Sequence, residues 1–167
     1  NLARQLAELE PDQLRGRLGL ATVYEQKKDF DSAEEVVRRG LDAFPDHFLL
    51  FMRLAQIERD RGDPLGEIAV YREVLVSHPN HYGILQRLGQ AQLDMNNIDG
   101  AIETFAQVVE NYPEDVNSLR RLASIEFSAG RYKSAADRLE AVLESSPNQP
   151  ELTFALGQIR RALEDDP

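Results

Sequence analysis

Arg53, Arg87 and Arg121 stand 34 residues apart, and of all residues in the chain they are the best equipped to hold a partner. A guanidinium is a planar fork of donors with no acceptor, so it suits carboxylates, phosphates and peptide carbonyls. A helical arginine commonly pairs with an acid three or four residues away. Here the +3 neighbours are Gln56, Gln90 and Ser124, and the +4 neighbours are Ile57, Ala91 and Ile125. Besides an accident of repeat divergence, two destinations remain. The three arginines contact a ligand, or Asp60 pairs with Arg87 and Asp94 with Arg121 in an ion-pair rail between repeats. Exposed pairs contribute only up to about 1 kcal/mol each, so a ligand could displace them.

Little else in the chain could do chemistry. There is no Gly-rich phosphate loop, no HExxH, no EF-hand loop and no nucleophile elbow. Cysteine is absent, which removes disulfides, thiol catalysis and cysteine-ligated metals. His78 and His81 form an H-x-x-H, but Pro79 breaks the helix between them. His47 and His81 hold equivalent positions in neighbouring repeats, about 10 Å apart at ordinary helix spacing, too far to share one metal. They are expected to be surface histidines. No catalytic residue, metal site or cofactor is therefore expected. The formal charge of −10 carries no basic stripe, which argues against nucleic acid, and no apolar run is long enough for membrane insertion. The acidity is uneven: residues 82–115 are the most acidic, and 116–149 carry a slight positive excess.

The elements that position the arginines are set by a period. Pro11, Pro45, Pro79, Pro113 and Pro147 are each 34 residues apart. Starting each unit three residues later, leucine fills the seventh position every time: Leu20, Leu54, Leu88, Leu122 and Leu156. A small residue follows each one: Ala21, Ala55, Gly89, Ala123 and Gly157. With apolar residues at the tenth position, these offsets mark one helical face. A second helix in each unit opens at Asp29-Phe30, Asp63-Pro64, Asn97-Ile98 and Arg131-Tyr132, mostly behind a good N-cap. The expected fold class is all-α, with helix pairs at 14–47, 48–81, 82–115 and 116–149. Residues 150–167 give the first helix of a further repeat or a capping helix. Residues 1–13 are read as the tail of a preceding repeat, so the chain is read as a segment of a longer protein.

This pattern resembles the tetratricopeptide repeat, a 34-residue helix–turn–helix unit. The resemblance rests on the Leu-small pairs, Tyr24 at the aromatic position, Ala101 with Phe105, and the period proline; the family's tryptophan is absent. It implies a right-handed α-solenoid with the first helices lining a concave surface. It also offers two binding precedents. Arrays similar to that of the O-linked N-acetylglucosamine transferase hold extended peptides with an asparagine ladder, and arginines occupy the matching positions here. The subclass that clamps a C-terminal carboxylate uses a lysine where this chain has Leu18, Met52 and Gln86.

On the helical wheel, the inner face gathers Met52, Arg53, Gln56, Gln86, Arg87, Gln90, Arg120, Arg121, Ser124 and Phe127, with Leu49, Leu93 and Phe154 beside them. Polar anchors among exposed apolar groups suit a protein or peptide partner, with an extended acidic segment as one candidate. The reading is a non-catalytic interaction scaffold. The alternatives are a structural or self-associating module of a bacterial envelope or polysaccharide-export complex, and a targeting domain attached to an enzyme such as a glycosyltransferase. Either the cytoplasm or a bacterial periplasm would accommodate it.

Two residues break the pattern. Glu67 stands where the other repeats place alanine at a tight helix contact, so its carboxylate must reach solvent, pair with a cation or force a local shift. Strain that Glu67→Ala would relieve is the favoured expectation, and a buried ion pair that the same change would break is the alternative. Gly40 occupies an interior helix position usually held by a larger residue, at a cost of up to about 1 kcal/mol. Both are read as tolerated divergence, with a softened second junction as the alternative.

Overall fold

The computed structural model describes residues 14–165, and among these all regular structure is α-helical. The reading of residues 1–13 as the end of an earlier repeat falls outside the described residues. The chain forms two compact units, divided after Pro79. The first holds α1 (Leu14–Gln26), α2 (Phe30–Ala43), α3 (Phe48–Arg61) and α4 (Pro64–Ser77). The second holds α5 (Tyr82–Asp94), α6 (Ile98–Asn111), α7 (Val116–Ser128), α8 (Tyr132–Ser145) and α9 (Pro150–Asp165). Within each unit every helix packs on the next, and the first helices of successive repeats also meet, α1 with α3 and α7 with α9.

Local chemistry explains where helices start and stop. Asp29, Asp63 and Asn97 each accept a hydrogen bond from the backbone N–H three residues on, at 3.2, 2.9 and 3.1 Å. That satisfies one of the donors a helix start leaves orphaned. The second helices end on Phe44, His78, Tyr112 and Ser146, all near φ −131 to −141° with ψ between 65 and 77°. Each precedes a period proline, whose ring excludes the α region for the residue before it. The turn inside each helix pair has its own rule. Lys28, Gly62, Asn96 and Gly130 occupy one position in the repeat, and all four are left-handed, with φ of 58, 82, 58 and 73°.

The cores follow the periodic apolar positions. In the first unit Ala21, Ala33, Val37, Leu50, Leu54, Ile57 and Tyr71 are almost fully buried. In the second, one cluster joins Leu119, Leu139, Leu152 and Leu156, and another joins Phe105, Leu122 and Ile125. Gly89 makes a tight helix crossing possible: a Cβ there would lie 2.6 Å from the Phe105 ring.

Both irregular residues have structural reasons. Glu67 is buried, and its carboxylate accepts from Arg59 through both Nε (3.1 Å) and Nη2, and from the Tyr71 hydroxyl at 2.9 Å. The expectation of unrelieved strain is therefore overturned: the acid is paired. Gly40 is buried too, and the Leu50 methyl carbons lie 3.1 Å from where its Cβ would stand. The fourth repeat nevertheless holds Val142 at this position, with Leu152 in the place of Leu50.

A further polar feature was not foreseen. The position that holds Tyr24 in the first repeat holds Glu58, Gln92 and Glu126 in the next three, and all three are buried. Gln92 accepts from the Thr104 hydroxyl at 2.7 Å. Glu126 accepts from Ser134 at 2.8 Å and from Arg138 at 3.1 and 3.3 Å. Glu58 lies 3.3 Å from Arg61, which also reaches Asp31 and Glu34 on α2. Buried polar groups need such partners, because an unpaired one costs free energy comparable to a lost hydrogen bond.

Candidate functional site

The 34-residue arginines do not share one fate. Arg53 is half-buried on α3 and reaches back to α1, donating to Thr22 at 2.7 Å and to Glu25 at 3.2 Å. Burial raises the Glu25 carboxyl above its ordinary range, the Arg53 charge lowers it in part, and Asp60 adds to the rise. Gln56 is held on its own helix by Asp60 at 2.7 Å, and Met52 beside it is half-buried. In the second unit, Arg121 on α7 donates to Gln90 on α5, and Gln90 in turn donates to Asp94 at 2.6 Å. Arg121 thus meets Asp94 through an amide relay instead of directly. Its guanidinium also lies 4.9 Å above the Phe105 ring, a cation–π contact. Arg87 is exposed and makes no ion pair with the described residues of its own unit.

Concave chemistry concentrates on the first helices of the second unit. One cavity of about 710 Å³ lies between α5 and α7, lined by Tyr82, Gln86, Asn117, Ser118, Arg120, Arg121, Ser124 and Ile125. Its polar rim is organised. Gln86 donates to Ser118 across the gap, and the Tyr82 hydroxyl donates to Asp115 at 2.6 Å. Asp115 caps α7, accepting from the Asn117 N–H at 3.2 Å and from the Ser118 hydroxyl. Burial alone would raise its carboxyl, but bonds from Ser118, Tyr82 and Asn117 outweigh that and hold it below the ordinary range.

A second cavity, about 540 Å³, lies between α7 and α9. It is lined by Ala123, Phe127, Phe154, Ala155 and Ile159, with Arg120, Ser124, Glu151 and Gln158 at its edges. Phe127 packs against Tyr132 with ring centroids 5.2 Å apart. Phe154 is 69% exposed, far more than a large apolar residue of the core. Arg120 and Ser124 line both cavities. Arg120 makes one long bond, 3.4 Å, to Asn117.

Of the sequence-predicted residues, Gln86, Arg120, Arg121, Ser124 and Phe127 converge on these cavities, and Gln90 sits behind Arg121. Met52, Arg53 and Gln56 lie in the other unit, and Arg87 lines neither cavity. Asn117 and Glu151 were missed, although each occupies the wheel position of Leu49, three residues before Arg120 and Phe154. His47 and His81 turn out to be N-cap residues of α3 and α5, and the His81 ring accepts from the Ile84 N–H.

Comparison with solved structures places the fold in company. MamA 41-end from Desulfovibrio magneticus RS-1 superposes with a TM-score of 0.60 at 19% identity, covering 88% of this chain and 83% of that one. YrrB, described as a TPR protein with an unusual peptide-binding site, gives 0.62 at 11% identity over 99% of this chain and 86% of its own. Naa15/Naa10 bound to HypK-THB gives 0.71 at 16% identity, covering 98% of this chain but 26% of that chain. A search among curated proteins gives no significant match. The family model for the tetratricopeptide repeat matches residues 1–47, 18–82, 87–150 and 127–167. With helix pairs in 34-residue phase and family matches along most of its length, the chain belongs to the tetratricopeptide repeat family.

Proposed function

We propose that this chain is a non-catalytic protein-interaction module that holds a segment of its partner on the first helices of the second unit. The observation that carries this reading is the pair of adjoining cavities that share Arg120 and Ser124. One is apolar, with the exposed Phe154 ring at its mouth, and the other is polar. Peptide-binding surfaces combine such apolar pockets with a few placed polar groups. YrrB, similar in fold, is described as having a peptide-binding site, and Naa15/Naa10 is described as bound to another protein. Among the first-face arginines, Arg53 and Arg121 already brace neighbouring helices, so Arg120 is the stronger candidate for partner contact.

The test is a selection of displayed random peptides on the immobilised chain. Binders should lose affinity for the Phe154→Ala variant, whose exposed ring can be removed without disturbing the core. A selection that yields no binders, or binders indifferent to both Phe154→Ala and Arg120→Gln, overturns the proposal.

A further inference from the structure

The two cavities differ in charge as well as polarity, and the difference specifies an occupant. The cavity between α5 and α7 is lined by two arginines and no acid, in a chain whose formal charge is −10. The carboxylate that caps α7, Asp115, is already engaged by Tyr82, Ser118 and the Asn117 N–H, and Asp94 is engaged by Gln90. A guanidinium carries five N–H donors, so a single 3.4 Å bond to Asn117 leaves the fork of Arg120 available to a ligand. On the far side of α7 the balance changes. The second cavity is apolar, and Glu151 stands at its edge. Arg120 and Glu151 offset each other at the edge of that cavity, so a ligand carboxylate is favoured between α5 and α7 over the place beside α9.

The spacing adds a second constraint. The cavities lie on either side of α7, so the thickness of a helix with its side chains, roughly 10 Å, sets the reach from one to the other. An extended polyproline II segment rises about 3.1 Å per residue with three residues per turn. Side chains three apart therefore project from one face and are about 9 Å apart. A β-strand would send residues i and i+3 to opposite faces.

We infer that the groove of the second unit takes an extended, polyproline II-like partner segment carrying Asp or Glu at one position and a large apolar or aromatic residue three positions away. The acid meets Arg120 between α5 and α7, where the charge of Arg121, itself held by Gln90, adds to the attraction. The apolar side chain enters the cavity formed by Phe127, Phe154 and Ile159. This rests on the proposed partner-binding role and specifies what that role recognises.

The experiment is the same display selection, followed by binding measurements on synthetic peptides by fluorescence anisotropy with the intact chain. Selected sequences should show an acid and a large apolar residue at spacing three. Replacing Arg120 by Gln should weaken such a peptide about 30-fold or more. The same replacement should barely affect the peptide in which the acid has become Gln. That double comparison separates a direct contact from a general loss of structure. Peptides that depend on Phe154 but show no acid, or an acid at no fixed distance, would overturn this inference and leave the groove reading standing. Peptides that depend on neither Phe154 nor Arg120 would overturn both.

Discussion

Glu67 shows how a single residue can be misjudged from sequence. The pattern marks it as an intruder at an alanine position, and intrusion suggests strain. The partner that resolves it, Arg59, lies eight residues earlier on a different helix, and Tyr71 completes the arrangement. No helical offset connects Glu67 with Arg59, so the pairing was not legible. Glu67→Ala should therefore lower stability, by about 1–3 kcal/mol, because it strips an acceptor from the buried Tyr71 hydroxyl. Chemical denaturation would check it, and an increase in stability would restore the strain reading. Glu58 points the other way. Burial pushes its carboxyl above the ordinary range, Arg61 offsets only part of this, and the charges of Glu34 and Asp63 add to it. A carboxyl raised in the folded state favours folding fully below its unfolded value, and that contribution is lost as pH rises through the folded value. Glu58→Gln should accordingly melt higher than the parent at neutral pH, with the advantage shrinking as pH falls toward 4.5. A variant that melts lower at neutral pH would show that the Arg61 pair outweighs burial. Among groove residues, Arg120, Ser124 and Phe127 were legible because wheel position follows from helical period alone. Whether an arginine there is already occupied depends on neighbouring repeats, which the period does not specify.

Helix order and phase were the most legible part of the chain. The Leu-small pairs mark the first helices, and the capping residues mark the second. What the small residue does still varies from repeat to repeat. Gly89 and Gly157 hold the same place, yet a Cβ on Gly89 would press into the Phe105 ring, while one on Gly157 would meet nothing within 4 Å. Gly89→Ala should cost about 1–3 kcal/mol through overpacking. Gly157→Ala should stabilise by up to about 1 kcal/mol, since alanine is the better helix former. Thermal melts of the two variants should shift in opposite directions, and shifts of the same sign would contradict this account of the position. The left-handed turn residue was not legible as a rule, because Lys28 and Asn96 fill it alongside two glycines. Backbone closure of the helix pair imposes that conformation, and a lysine can adopt it at a cost of about 1–2 kcal/mol.

At the scale of the whole molecule, charge is the dominant property. The formal charge of −10 falls to zero near pH 4.8, and solubility should be lowest there and recover on either side. Turbidity across that range checks it, and a minimum far from pH 4.8 would mean that exposed apolar surface, not charge, governs association. The buried polar pairs bear on a different hazard. A chain of near-identical helices offers each first helix several plausible second helices, and repeat proteins characteristically misassemble in this way. The pairs are not interchangeable. In the second repeat the cation Arg59 sits on the first helix and the acid Glu67 on the second; in the fourth, Glu126 is on the first and Arg138 on the second. In the native register, docking α7 onto α4 would set Glu126 against Val70 and Phe127 against Glu67, taking both acids from their arginines, whereas docking α3 onto α8 would still bring Glu58 opposite Arg138. The third repeat, with its neutral Gln92 and Thr104, could compensate neither charge. The polar seams thus act as a partial code between helices, spelled in charge, that penalises some wrong threadings and leaves others open.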